Sequence, residues 1–170
     1  MNKFRKFAAP SLAAVLIITP VLYLGTAAGR TDLAPEPVRQ VSIQSIVSQV
    51  VTVGQPFQFA LKSNAGGFAH VYLLSASGKT KALAENLTLP PNGDRQIVFK
   101  LLATAPAGKD KVLVLATKNR IQGFSRLRNP GQPATLRLAH GQFRAALDRK
   151  IRSLPRKDWS FAETFVLVKS

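Results

Sequence analysis

The chain has 170 residues, carries 24 Lys and Arg against 8 Asp and Glu for a net charge of +16, and contains no cysteine. That length suits one domain with a true hydrophobic core, while the missing cysteines exclude disulfides, a lipid-modified N-terminal cysteine and every thiolate metal site. Fifteen of the basic residues lie between Arg95 and Lys157, so the positive field is concentrated in the second half, where it attracts anions or serves simply to keep an exported domain soluble.

Residues 1–28 read as an export signal. Lys3, Arg5 and Lys6 form a positive head, an apolar run follows from Ala8 to Leu24 with Pro10 and Pro20 inside it, and Gly25, Thr26, Ala27 and Ala28 offer a cleavage site. Cutting after Ala28 puts Thr26 and Ala28 at the two positions where a peptidase needs small side chains. The alternative is an inner-membrane anchor through residues 8–24, which is at the short limit of a span of about 17–25 residues. Residues 29–37, GRTDLAPEP, are expected to be a flexible leader, and residues 38–170 a single β-rich domain, periplasmic or secreted.

From Val38 the pattern turns β. VRQVSIQSIVSQVVTV mixes β-branched residues with Ser and Gln. In GQPFQFALKS, Phe57, Phe59 and Leu61 share one face while Gln58, Ala60 and Lys62 share the other, the mark of a strand with one buried side. NAGG then turns the chain. In GGFAHVYLLSASGKTKAL, Phe68, His70, Tyr72 and Leu74 alternate with Ala69, Val71, Leu73 and Ser75, so both faces are largely apolar and the strand belongs in the middle of a sheet. Ser77 and Gly78 supply the turn into a hairpin partner, KTKALAEN. LPPNGD is a loop, and RQIVFKLLAT and KVLVLATK are two further strands separated by APAGKD.

After Lys118 the pattern weakens into a polar, basic loop, NRIQGFSRLRNPGQPA. A helical period follows over about 141–154: Phe143, Ala146, Leu147, Ile151 and Leu154 fall in one arc, Arg144, Asp148, Arg149 and Arg152 occupy the rest, Lys150 must snorkel out of the apolar arc, and Pro155 ends the helix. WSFAETFVLVKS alternates Phe161, Glu163, Phe165 and Leu167 against Ala162, Thr164, Val166 and Val168, a last strand returning to the sheet. The expected fold is mainly β: an antiparallel β-sandwich-like domain with one C-terminal amphipathic helix and a final strand.

Little in the sequence points to chemistry. His70 sits between Phe68 and Tyr72 and reads as a hydrogen-bonded core or edge histidine, and His140, just before the helix, as a capping or solvent-facing one. Asp94, Asp110 and Asp148 fall in loops or on a polar helix face without the spacing of a carboxylate pair. No nucleophile elbow, P-loop or dinucleotide fingerprint occurs. The expectation is therefore no enzyme, no cofactor and no metal. The candidate contact surface is the basic loop Lys118, Arg120, Phe124, Arg126 and Arg128 with the helix residues Arg144, Arg149 and Arg152. Arginines around an aromatic can stack on bases or grip phosphates, and equally Phe124 can pack under the loop while the charges face water.

Residues 53–92 carry Val53, Gly54, Phe59, Gly67, Phe68, Tyr72, Leu73, Leu74, Gly78 and Lys79 in an order that resembles the bacterial domain-of-unknown-function 4384 family. APAGKDKVLVLATK, residues 105–118, resembles that family's later Pro-x-Gly and apolar strand. The resemblance covers about half of the chain beyond the export signal, and its motifs are mostly turn glycines and core positions. It implies a β-sandwich-like module of envelope or secreted proteins, with some members looking like accessories of secretion machinery, type VI systems included. It brings no catalytic residues. The expected function is a non-enzymatic adaptor binding an envelope or secretion-apparatus protein. The alternatives are a basic module binding an anionic envelope polymer or membrane surface, and a hydrolase built around His70 or His140. Nucleic acid ranks below these because an exported protein rarely meets it.

Overall fold

The computed structural model describes residues 39–46, 49–91, 96–125 and 133–170. The export signal, the leader, the Asn92-Gly93 turn with Asp94, and Arg126 and Arg128 all lie outside the described residues. Among these residues nine strands and one α-helix follow in chain order: β1 (Val41–Ser45), β2 (Val50–Thr52), β3 (Pro56–Ser63), β4 (Gly67–Leu74), β5 (Lys79–Leu89), β6 (Ile97–Leu102), β7 (Gly108–Thr117), β8 (Ala134–Ala139), α1 (His140–Arg152) and β9 (Trp159–Lys169). They form a three-stranded sheet in the order β1-β3-β6 and a six-stranded sheet in the order β2-β9-β7-β4-β5-β8. The protein is mainly β, a sandwich with a helix laid on its outer side. Among the described residues no helix is long and apolar enough to cross a membrane.

Alternation decides which residues fill the sandwich. Phe57, Phe59 and Leu61 of β3 are buried, as their spacing predicts, and meet Ala69, Val71, Leu73, Val112, Val114, Val166 and Val168 of the large sheet. The opposite face of the large sheet offers Tyr72, Leu74, Leu113 and Leu115 to Phe143 and Leu147 of α1. β4 therefore has apolar residues on both sides because it is covered on both sides. It pairs antiparallel with β5 and with β7, which is the central position expected for it. The glycine at its start is needed: Gly67 has φ +144°, and a Cβ there would run into the Thr117 carbonyl and the Arg39 guanidinium, which itself donates to the Gly66 and Ala65 carbonyls. Gly78, at φ +79°, closes the turn into β5.

Two details go beyond the expected fold, and two expectations, the helix end and the place of Asp110, need correcting. The sheet is not purely antiparallel, for β2 runs parallel to β9, pairing Val50 with Leu167. The stretch before the helix holds a strand, β8, whose Leu136 and Leu138 face inward while Thr135 and Arg137 face out; it pairs with β5 and forms one edge of the large sheet. The helix starts at His140 and stops at Arg152, two residues short of the expected end, with Ser153 already at the cap. Asp110 lies in strand β7, not in a loop. It is buried and accepts the Ala76 N–H at 2.6 Å, which ties the β4–β5 turn to β7. Burial pushes the Asp110 carboxyl up, against the pull of its hydrogen bonds from Ala76 and Ser75.

Leu73 is 5 % exposed in the middle of this arrangement, where burial of such a side chain contributes roughly 1.5–3 kcal/mol. Leu73→Asp places an unpaired charge there. We expect the variant to accumulate as insoluble or protease-sensitive chain; soluble protein melting at the wild-type temperature would contradict the central position of β4.

Candidate functional site

The candidate surface is built on a defect in β5. Ala69 pairs with Leu87 and Val71 with Ala84, so Glu85 and Asn86 together stand opposite the single residue His70. Such a bulge re-aims side chains, and Asn86 takes the left-handed φ of +53° that asparagine tolerates. Both re-aimed side chains hold the basic loop. Asn86 donates from Nδ2 to the Ile121 carbonyl at 2.9 Å and accepts the Ile121 N–H at 3.1 Å, imitating a strand partner. Glu85 accepts the Phe124 N–H at 2.7 Å, the Ser125 N–H at 3.2 Å, the Ser125 hydroxyl, and the Tyr72 hydroxyl at 3.0 Å. Gly123 makes this approach feasible, because a Cβ there would collide with the Glu85 carboxylate. Burial first, then the Glu85 charge and hydrogen bond, push the Tyr72 phenol up, so it stays a donor.

The loop so anchored is joined to the helix through three rings. Phe124 lies 5.8 Å from Tyr72 and 5.3 Å from Phe143 by ring centroids, and Tyr72 and Phe143 are 4.8 Å apart. Phe124 therefore supports the face from beneath and is not the outward stacking aromatic of the candidate surface: its apolar ring is worth more against two other rings than in water. Lys118 and Arg120 are exposed. The Lys118 N–H donates to the Asp158 carbonyl at 2.8 Å, which brings Lys118 beside exposed Arg156 and Lys157 on the short 3-10 turn Arg156–Asp158. Arg149 and Arg152 stand exposed at the C-terminal end of α1. Arg144 does not join them. Eight residues earlier, about 12 Å away along the axis, it is tied to Glu163 at 3.1 Å and lies 3.9 Å from Asp148. The exposed cations thus form two groups, Lys118 and Arg120 on the loop with Arg156 and Lys157 beside Lys118, and Arg149 and Arg152 at the end of α1; together they make up the candidate basic face. Proximity of Lys118 to that turn depends on β9 returning beside β7, a contact between distant segments that no local pattern announces.

The two histidines behave differently from one another. His140 Nε2 lies 3.2 Å from the Lys79 carbonyl oxygen, to which it donates. His70 is fully buried and neither ring nitrogen has a hydrogen-bond partner, a departure from the hydrogen-bonded histidine expected. Burial lowers its pKa to about 4, with Lys150 adding to the effect and the Glu85 charge opposing it. It is neutral at pH 7. Among the described residues no three His, Asp or Glu side chains converge as metal ligands.

No family model and no curated protein matches the chain. Among solved structures it is similar to the CARDB domain of the PF1109 protein from Pyrococcus furiosus, crystallised in complex with di-metal ions, at 13 % identity over 61 % of this chain and 94 % of that one, with a TM-score of 0.32.

Two outcomes follow from the Glu85 and His70 geometry. Glu85→Ala strands two backbone N–H groups and two hydroxyls, each worth about 1–3 kcal/mol when left unmet in a buried site. We expect a loss of roughly 3 kcal/mol, with amide exchange of Phe124 and Ser125 accelerating far more than that of Val112 or Val114; uniform acceleration would show that Glu85 does not hold the loop specifically. For His70, the unfolded chain takes up a proton near the ordinary value of 6.5 and the folded chain only near 4. Stability therefore falls as pH drops through that window and levels off below it, by on the order of 3 kcal/mol in all. Melting curves of His70→Leu between pH 7 and pH 4 should decline less steeply than those of the wild type; parallel curves would refute the assignment.

Proposed function

We propose that this chain is a non-enzymatic protein-interaction module of the bacterial envelope that presents a basic helix-and-loop face to an acidic partner protein. The observation that carries the reading is the mounting of the charges. Lys118, Arg120, Arg149 and Arg152 are exposed, while the layer below them is fixed by Glu85, Asn86 and the Tyr72–Phe124–Phe143 rings. A backbone held in place leaves only side chains to be ordered on binding, which favours a specific contact over a diffuse one. That the module does no chemistry rests on its histidines, one sealed from solvent without a partner and the other tied to the Lys79 carbonyl. With this reading go the kinship of residues 53–92 with the domain-of-unknown-function 4384 family, a cleaved export signal over 1–28, a periplasmic or secreted location, and a partner in the envelope or a type VI-like secretion apparatus.

A second reading, an anionic envelope polymer or membrane surface as partner, is favoured by the helix composition: α1 sets Arg144, Arg149, Lys150 and Arg152 against the single acid Asp148. Ionic strength separates the two, since the screening length falls from about 10 Å at 0.1 M salt to about 3 Å at 1 M. Crosslinking in envelope fractions should capture a defined protein with the wild type, and capture should drop at least about tenfold when Arg149 and Arg152 are both changed to Glu. Capture unaffected by this reversal removes the face from the interaction. Retention on the envelope that collapses in high salt without any defined protein partner assigns the polymer.

A further inference from the structure

At the N-terminal end of α1, away from the arginines of the basic face, a cavity of about 420 Å³ is lined by Lys109, Lys111, His140, Gly141, Arg144 and Glu163. Its walls come from four elements, with Leu74 of β4 as the apolar floor. Lys109 and Lys111 stand two apart on β7 and so project from the same side of the sheet. Gly141 and Arg144 belong to the first turns of α1, and Glu163 comes from β9. Three fixed positive charges face one carboxylate. Glu163 bridges two of them, Lys111 at 3.2 Å and Arg144 at 3.1 Å. Partial burial alone pushes the Glu163 carboxyl up, but hydrogen bonds and charges from Arg144 and Lys111 outweigh it and hold it below the usual carboxylate range, so it remains a counter-charge that orients both cations. Among the described residues no carboxylate lies within salt-bridge range of Lys109, whose Nζ sits 3.9 Å over the Phe165 ring.

The backbone adds to the same field. Ala139 offers no side-chain acceptor to the first turn of α1, no acidic residue lies there, and Gln142 reaches back only to the Ala139 N–H. The positive pole of the helix therefore points at the cavity uncompensated by any side chain. Beyond Lys109 the sheet face is apolar and open: Phe165 is 41 %, Leu167 39 % and Val50 42 % exposed, with Val50 and Leu167 directly paired. A cationic hollow continuing into an apolar strip matches a molecule with an anionic head and an apolar body.

We propose that this cavity binds the phosphate group of a phosphate ester, with the strip Phe165, Leu167 and Val50 receiving the apolar substituent. A phosphate group, dianionic in a monoester and monoanionic in a diester such as phosphatidylglycerol, supplies at least two acceptor oxygens at once to two ammonium groups, a guanidinium and the helix N-terminal amides, and offsets the surplus positive charge in whole or in part. The site is separate from the helix-and-loop face and does not depend on its being an interaction surface; the two share no residue, since Arg144 is tied to Glu163 and stands apart from that face. The phosphate can come from a phospholipid headgroup or from a soluble ester, and the experiment distinguishes these.

The full chain is titrated with inorganic phosphate at constant ionic strength, following the amide signals of Gly141 and His140, with chloride as the comparison anion. A saturable shift is expected with phosphate and not with chloride. Lys109→Ala, which leaves the Lys111–Glu163 bridge intact, should weaken it at least about tenfold, the loss of one charge-assisted contact, while Arg149→Ala leaves it unchanged. Sedimentation with phosphatidylglycerol vesicles against phosphatidylcholine vesicles forms the second arm. A phosphatidylglycerol preference that Lys109→Ala abolishes assigns the lipid; phosphate binding without that preference assigns a soluble ester. Absence of a saturable phosphate shift, or a shift equal in chloride or unaltered in Lys109→Ala, overturns the proposal whatever the vesicles do. Capture unaffected by the Arg149/Arg152 reversal beside a saturable, Lys109-dependent phosphate shift fails the interaction face alone; capture lost on that reversal with no such phosphate shift fails this cavity alone.

Discussion

The outer layer of this protein hangs on one carboxylate. Glu85 sits where β5 departs from regular pairing, and it gathers two backbone amides and two hydroxyls that otherwise have no partner nearby. A carboxylate in such surroundings is a strong acceptor because surrounding donors replace the water it gave up. The consequence travels outward. A fixed Glu85 fixes the chain at 123–125, that fixes Phe124, and Phe124 completes the ring cluster that seats Phe143 of α1. Remove the bulge and Glu85 returns to strand alternation, where it has no loop to hold.

The two cores divide labour along the same line. Between the sheets the contacts are aliphatic and aromatic side chains meeting across regular strands, with His70 on the other face. On the helix side the packing is mixed: rings, a buried carboxylate and an unpartnered imidazole lie together. His70 is tolerated because a neutral imidazole is cheap to bury compared with a charged one. The sandwich supplies stability and the helix layer supplies placement, which is the arrangement one expects where a surface must hold charges in fixed positions without help from disulfides.

Much of the sandwich was readable in advance. The period-two runs at Phe57, Phe59 and Leu61 and the two-sided β4 named their own environments, and the helical stripe picked out Phe143 and Leu147. What escaped reading shares a physical cause. β8 offers only Leu136 and Leu138, too short an alternation to stand out from the polar residues around it. The parallel β2 is three residues long, and its partner lies more than a hundred residues away. Glu85 looked like the polar tail of a hairpin strand, because nothing local distinguishes an acid pointing to solvent from one caught by a loop 40 residues on. Lys109 and Lys111 likewise look like ordinary edge lysines until the helix start and Glu163 arrive beside them. Phe124 was legible as either a contact or a support, and only packing could choose.

The position of β9 has a further bearing on how such a chain comes to be folded. The last strand is inserted between β2 and β7, not added at a margin. Synthesis proceeds from the N-terminus, so β2 cannot join the large sheet until β9 has emerged, and that closure pairs residues more than a hundred positions apart. Contacts of such long range slow folding, because loop-closure entropy is lost before they form. Any product lacking β9 is left with β7 bearing an open edge, the kind of surface on which strands from other molecules assemble.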